Sequence, residues 1–345
     1  MNSLFDKIVK ASERATKIGA IEKIESNPIF IKDSNVNFLV SVAKSLLKRP
    51  FNYPKSDSGE LIPPVVNDKK NSEVVVDSEE QKSEKKDKVF IDPFLPCDKD
   101  LFVCQLSKGT HNLVLNKFNV SNYHSIIATS DFQHQTDNLN TLDFKAIWEC
   151  IGSGNMLSFF NCGPNSGASQ PHKHIQLLVI PFHNDCSPYN IPMESLLVKY
   201  KYQPNQLHEV DKVFQIEELP FRNAALYYNL DHLKSMNNDS ESISKYLELK
   251  YLSLMNNLDL NNSNSNDSQQ QLKNSSNNIS NFKSYNFIMT SEWMFLVPRS
   301  VYQSRGISIN SVGFTGAILV RKEEDLDTIQ KHGIMNILTE VSIPK

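Results

Sequence analysis

An α+β fold is what this sequence predicts, and two observations carry the prediction. Helix-period segments are few and segregated, while several strand-like runs are joined by short polar connections of the hairpin kind. No Gly-x-Gly-x-x-Gly or Gly-Lys-Ser/Thr loop is present, which leaves a parallel α/β fold with a Rossmann or P-loop site unsupported. The 345 residues could hold two domains by length, but two stretches lack any packing pattern, so one generous domain spanning 1–345 is expected.

In chain order, Leu4, Ile8, Ala11, Ala15 and Ile18 recur at spacings of three and four. Ser3 caps them with Asp6, and Gly19 ends the run, so an amphipathic helix is predicted. Val36, Phe38, Val40 and Val42 alternate with polar neighbours as a half-buried strand does, and Lys44, Lys48 and Arg49 follow as a basic turn before Pro50. Residues 55–88 are dense in Lys, Glu, Asp and Ser. They are too poor in apolar side chains to offset the entropy of ordering, and a disordered insertion is expected there. The core resumes at 89–96, and strands at 110–118 and 123–129 are close enough to pair antiparallel. His124, on the second of them, is expected to serve structure.

Phe144, Ile147, Trp148 and Ile151 keep helical spacing behind a Thr141 cap, with Gly152 as the stop. A strand at 156–160 then leads into the stretch where the chemistry is expected. After it come a strand region at 214–225 and a helix through Ile243, Leu247, Tyr251, Leu254 and Met255. Residues 256–280 are mostly Asn, Ser and Gln, a second expected disordered insertion. A hairpin at 285–289 and 293–297 and strands at 307–309 and 317–320 complete the pattern.

The stretch 161–181 falls into two physical halves. From Asn161 to Gln170 it is rich in Gly, Ser and Asn, which tolerate unusual backbone angles and leave successive N–H groups for an anion, as a phosphate cradle requires. From 172 to 180 it reads as a strand, whose period of two puts His172, His174 and Gln176 on one face. An imidazole can attack through one nitrogen while a hydrogen bond orients the other, so a histidine beside a phosphate cradle points to nucleotidyl transfer. A His-x-His pair could also ligate zinc, but no Cys pair or carboxylate stands close enough in sequence to complete a site, and no metal site is expected.

The segment His172-Lys-His-Ile-Gln176 resembles the His-x-His-x-Gln signature of the transferase branch of the histidine triad superfamily. The longer string Asn-Cys-Gly-Pro-Asn-Ser-Gly-Ala-Ser-Gln-Pro-His-Lys-His at 161–174 resembles the fungal-type diadenosine tetraphosphate phosphorylases, also called ATP adenylyltransferases. Asp92-Pro-Phe-Leu, the 113–118 run, Ser284-Tyr-Asn, Trp293, Val297-Pro-Arg-Ser and Asn310-Ser-Val-Gly stand in the order of that family. The resemblance implies a histidine-triad-like antiparallel sheet flanked by helices. It implies that His174 is the nucleophile, that His172 orients it, and that Gln176 holds the phosphoryl group without acting as an acid.

Substrate would be gripped, on the same resemblance, by Lys48, Asn116, Lys117 and Asn161, by N–H groups around Ser166, Gly167, Ala168 and Ser169, and by Asn310 and Ser311. The chain departs from the family pattern at Val312, where Thr is usual, at Ala317, where Met is usual, and at Arg321, where Lys is usual. These changes bear on base preference and affinity. The implied reaction is phosphorolysis of diadenosine tetraphosphate to ATP and ADP through AMP held on histidine. The implied partners are diadenosine polyphosphates, ATP, ADP and inorganic phosphate. No tightly bound cofactor is expected, at most a divalent cation accompanying the nucleotide. A hexose-1-phosphate nucleotidyltransferase, a hydrolase and a non-enzymatic nucleotide sensor on the same scaffold are the alternatives.

Gross properties set the remaining bounds. A net charge of -3 argues against a general nucleic-acid binder. The five cysteines, at 97, 104, 150, 162 and 186, form no CxxC, as expected of free thiols in a reducing compartment. No apolar run reaches the ~18 residues of a membrane span, and the first twenty residues lack a signal core. A soluble cytoplasmic protein, with no membrane partner, is expected.

Overall fold

The computed structural model describes residues 3–24, 26–43, 90–152, 155–201, 210–261 and 284–345, together with the backbone of 73–74. Lys48 and all but 73–74 of the 55–88 insertion lie outside the described residues. Those two residues pair antiparallel with 90–91.

One eight-stranded sheet organises the molecule. In chain order the labelled strands are β1 (Ile29–Asp33), β2 (Val36–Val42), β3 (Phe102–Leu106), β4 (His111–Leu115), β5 (Ser125–Thr129) and β6 (Met156–Cys162). They continue with β7 (His174–Val179), β8 (Ala224–Tyr227), β9 (Ser284–Met289), β10 (Trp293–Arg299) and β11 (Ala317–Val320). The large sheet runs β8-β10-β9-β6-β7-β5-β4-β3, and every neighbouring pair is antiparallel. A second sheet places β2 between β11, which it meets in parallel, and β1. The α+β prediction with an antiparallel sheet is what the structure shows.

Period-two alternation sorts side chains to two cores. Ile175 and Leu177 of β7, with Phe160 of β6 and Phe287 of β9, pack against α1 (Leu4–Lys17), α2 (Thr141–Ile151) and α5 (Ser240–Asn257) through Ile8, Phe144, Ile147 and Tyr251. Leu178, Phe159, Ile288 and Phe295 face the other way, toward β2, β11 and the C-terminal helices α6 (Glu324–His332) and α7 (Ile334–Glu340). Each large side chain removed from water contributes about 1.5–3 kcal/mol, so these two layers fix which face of β7 stays open.

The α1 capping box forms as predicted, but Ile18 lies beyond the last turn and is exposed. Helix α2 is capped by Asn140, not Thr141. Asn140 Oδ1 accepts from the N–H of Leu142 and Asp143, and the Asp143 carboxylate accepts from the Asn140 N–H at 2.8 Å, while Thr141 already lies inside the helix. The expected strand at 214–225 is confined to β8, with Phe214 bridging Ala225. Pro220 cannot donate to a ladder, and the Asn223 side chain binds both the N–H and C=O of Ile216.

Order also runs further into the second insertion than expected. Helix α5 reaches Asn257, Leu258 is buried in the core, and the Leu260 N–H donates to Met255 O, so 256–261 are structured and 262–280 lie outside the described residues. The expected strand at 307–309 is a two-residue pairing with Gln303–Ser304, apart from the large sheet. Helices α3 (Glu194–Lys201), α4 (Leu230–Ser235), α6 and α7 had no signal recognised in the sequence.

Candidate active site

The open face of β7 borders a cleft of about 820 Å³, a volume suited to a nucleotide. Gln176 lines it from β7, Asn116 and His124 from the ends of neighbouring strands, Gly167 and Ser169 from the cradle, and Asn310 from the turn before β11. Val312, Ala317 and Arg321 line its far wall. Eight of the residues expected from sequence thus converge on one cavity: those named here, apart from His124.

His174 is buried beside it, two residues before Gln176, with its ring 5.3 Å from that of Phe94. Its Nδ1 lies 2.8 Å from the carbonyl oxygen of His172. A carbonyl only accepts, so Nδ1 carries the proton and the lone pair resides on Nε2. The ring is therefore held in the tautomer a nucleophile needs. Its backbone is clamped as well: Gln135 Oε1 accepts from the His174 N–H at 2.7 Å, and Gln135 Nε2 donates to His174 O and Asn161 O.

His172 precedes the strand proper and forms an isolated bridge with His134. It is fully buried and its ring does not line the cleft. Nδ1 meets Asp92 Oδ2 at 2.6 Å, and Nε2 meets Thr129 O and Oγ1 at 2.9 Å. Both ring nitrogens are spent on the protein, and what His172 offers His174 is its backbone carbonyl. That is an orienting role, reached through the main chain and anchored by Asp92.

Lys173, between the two, points to the opposite face and is fully buried. Its Nζ donates to Asp143 Oδ2 at 2.6 Å and to Asn138 O at 2.8 Å, and His111 Nε2 lies 2.9 Å from Asp143 Oδ1. Burial alone would raise the Asp143 carboxyl, but the hydrogen bond from His111 and the charge of Lys173 outweigh it and hold it below its ordinary value. This network fastens the start of β7 to α2.

The cradle is a tight turn at Pro164–Ser166 between Gly163 and Gly167, whose φ values are 79° and 81°. At Gly167 a Cβ would stand 2.7 Å from Ile309 O, so only glycine lets the turn lie against the Asn310 segment. Several residues expected to touch substrate are instead internal struts. Asn161 Oδ1 accepts from Asn286 Nδ2, Ser311 N and Ser311 Oγ, Ser166 Oγ donates to Gly163 O, and Ala168 is fully buried. With Asn161 Oδ1, Ser166 Oγ and Ser311 Oγ engaged inside the protein, Asn161, Ser166, Ala168 and Ser311 shape the cradle and do not line the cleft. Lys117 is an exposed residue beside the lining residues Asn116 and Phe118, with its Nζ 5.9 Å from the Phe118 ring.

Beneath the cradle lies Arg299, which sequence reading did not single out. Its guanidinium donates to Ser166 O, Ile309 O, Val301 O, Val341 O and Asn286 Oδ1. Burial lowers it to about 9, which leaves it protonated at neutral pH. A buried positive charge thus backs the turn on which an anion would rest. Gln135, Asp92 and His124 were missed in the same way, because their roles come from contacts 26 to 80 residues away in sequence. Among the described residues no group of three or more His, Cys, Asp or Glu is placed to hold a metal ion, and no helix is long and apolar enough to cross a membrane.

The Ap4A phosphorylase N-terminal domain matches residues 61–199, and the ATP adenylyltransferase C-terminal domain matches residues 217–344. Diadenosine 5',5'''-P1,P4-tetraphosphate phosphorylase 2 of Saccharomyces cerevisiae is 29% identical over 258 residues, 69% of this chain and 71% of that one. Protein APA1 of the same yeast is 28% identical over 273 residues, 73% and 76% of the two chains. The crystal structure of yeast Ap4A phosphorylase Apa2 in complex with AMP shares the fold with a TM-score of 0.68 at 24% identity, covering 100% of this chain and 97% of that one. The complex of the same enzyme with Ap4A gives 0.68 at 23% identity, over 100% and 98%.

Proposed function

This chain belongs to the family of Ap4A phosphorylases and ATP adenylyltransferases, and from that premise we propose that it phosphorolyses diadenosine tetraphosphate to ATP and ADP through AMP bound to His174. The observation that carries the reading is the hydrogen bond from His174 Nδ1 to the His172 carbonyl, which puts the lone pair on Nε2, two residues before the cleft-lining Gln176 on the same strand.

In the first half-reaction Nε2 attacks the α-phosphorus of one adenylyl unit, and the bond to the bridging oxygen breaks with ATP leaving. The product is an AMP phosphoramidate on His174. Inorganic phosphate then attacks the same phosphorus, breaking the P–N bond and releasing ADP with the histidine restored. Splitting the transfer in this way gives ping-pong kinetics. Negative charge on the transferring group is met by the backbone N–H groups of Gly167 and Ser169, by the Gln176 amide and by the charge of Arg299 beneath the turn. Lys48 and Lys117 are proposed to meet the outer phosphates. In the reverse direction ADP would adenylylate His174 with release of phosphate and ATP would take up the AMP to give the dinucleotide, and a divalent cation would arrive with the nucleotide.

The test is incubation with diadenosine tetraphosphate, with and without phosphate, followed by nucleotide chromatography. Equimolar ATP and ADP that require phosphate support the reading. Release of AMP at the same rate with phosphate absent would identify a hydrolase instead.

A further inference from the structure

Asn116, His124 and Gln176 form a chain of hydrogen bonds in which each member fixes the direction of the next. The Phe118 N–H can only donate, and it reaches Asn116 Oδ1 at 3.2 Å. The Asn116 amide must therefore present its NH2 to the His124 ring, where it lies 3.0 Å from Nδ1 and 3.4 Å from Nε2, so that Nδ1 is the nearer acceptor. An imidazole that accepts at Nδ1 carries its proton on Nε2, and His124 Nε2 lies 3.0 Å from Gln176 Oε1. That oxygen is thus an acceptor, and the NH2 is the arm of the amide left for the cleft that Gln176 lines.

We infer that His124 is a positioning residue, holding the Gln176 carboxamide in the one of its two flip states that offers N–H to a phosphoryl oxygen. The inference rests on the adenylyl-transfer reading above. The opposite flip would set Oε1 against the phosphoryl oxygens, acceptor against acceptor. A Gln without this hold would also have to be ordered by each substrate as it binds. The backbone bond at Phe118 is the origin of the relay, because it alone has a direction that chemistry cannot reverse.

The geometry dictates which substitutions substitute for the imidazole. In His124→Gln the side-chain oxygen can accept from Asn116 while its NH2 donates to Gln176, at a spacing close to that of the two ring nitrogens. In His124→Asn only the Asn116 end is reached, and in His124→Phe neither is. Loss of side-chain ordering of this kind is expected to slow ATP release in a phosphate-free single turnover about ten- to thirtyfold in His124→Phe and His124→Asn. His124→Gln should stay within roughly threefold of wild type, with kcat rather than KM carrying the differences.

The decisive experiment combines these variants with Gln176→Ala and with imidazole ¹⁵N NMR of His124 in the substrate-free protein. Acting through Gln176, His124→Phe should cost less than about threefold more once Gln176→Ala is present, and the spectrum should show the Nε2–H tautomer. An equal penalty in both backgrounds, failure of His124→Gln to restore the rate, or an Nδ1–H tautomer would overturn the positioning role. Wild-type protein that turns over normally while these tests fail removes only this inference. Wild-type protein that releases no ATP removes the functional reading, and the positioning role with it.

Discussion

Replacing Asp143 with Asn should destabilise the protein more than replacing its partner Lys173 with Met, although both substitutions break the same 2.6 Å bond. In Asp143→Asn the ammonium of Lys173 stays fully buried with only neutral oxygens around it, and breaking a buried pair in this way costs about 3–5 kcal/mol. In Lys173→Met the carboxylate keeps His111 at 2.9 Å, so a smaller loss of about 1–3 kcal/mol is expected. The double variant should then be more stable than Asp143→Asn alone by about 1–2 kcal/mol, because the methionine removes the uncompensated charge. Urea unfolding at neutral pH, followed by the fluorescence of the two tryptophans, measures all three. The sign of the pH dependence follows from the lowered Asp143 carboxyl: its contribution is complete above the ordinary value of about 3.9 and is lost as pH falls through the lower, folded value. A loss below about 1 kcal/mol in Asp143→Asn, or a double variant weaker than either single one, would refute the view that a buried ion pair fastens β7 to α2.

Other substitutions probe the site itself. Gly167→Ala forces a Cβ toward Ile309 O and a left-handed backbone on alanine, at a cost of about 1–3 kcal/mol, and should raise KM for the dinucleotide in steady-state assays. His172→Asn should slow formation of the adduct without abolishing it, as read by quenched single turnovers, because His172 orients the nucleophile and does not itself react. Gln176→His introduces an acid and base at the transferring phosphoryl group, an effect typically worth ~10²–10⁴-fold. The ratio of AMP to ADP measured by chromatography should rise in that variant, and an unchanged ratio would remove acid–base inertness as the reason for phosphorolysis.

What was legible in the sequence was local. The Ser3–Asp6 box, the alternation through Val36–Val42 and the hairpin strand expected at 293–297, which runs on to Arg299, all formed where short-range pattern placed them. The shared strand of His174 and Gln176 and the glycine-flanked turn were equally readable, since they are one stretch of chain. What escaped was the wiring between distant segments. Nothing in the neighbourhood of Asn161 or Ser311 says that their side chains bond to each other across 150 residues, and a motif alone assigns both to substrate. Arg299 reads as one more charge at the end of a strand until five oxygens from four segments are seen to surround it. His124 was expected to serve structure, and only the pairing of β5, which it precedes, with β7 brings it to Gln176. The second insertion was drawn too long for a related reason: Asn256 and Asn257 look like the low-complexity tract, yet Leu258 and Leu260 return the chain to the core.

The central claim is that His174 Nε2 carries AMP between two half-reactions, and intact-protein mass spectrometry tests it most directly. Wild-type protein mixed with diadenosine tetraphosphate in phosphate-free buffer should gain the mass of one adenylyl group, acid-labile as a phosphoramidate is, and lose it as ADP when phosphate is added. The His174→Asn variant should bind the dinucleotide and gain no mass. An adduct that persists in His174→Asn, or wild-type turnover to ATP and ADP with no adduct at any time, would contradict the account.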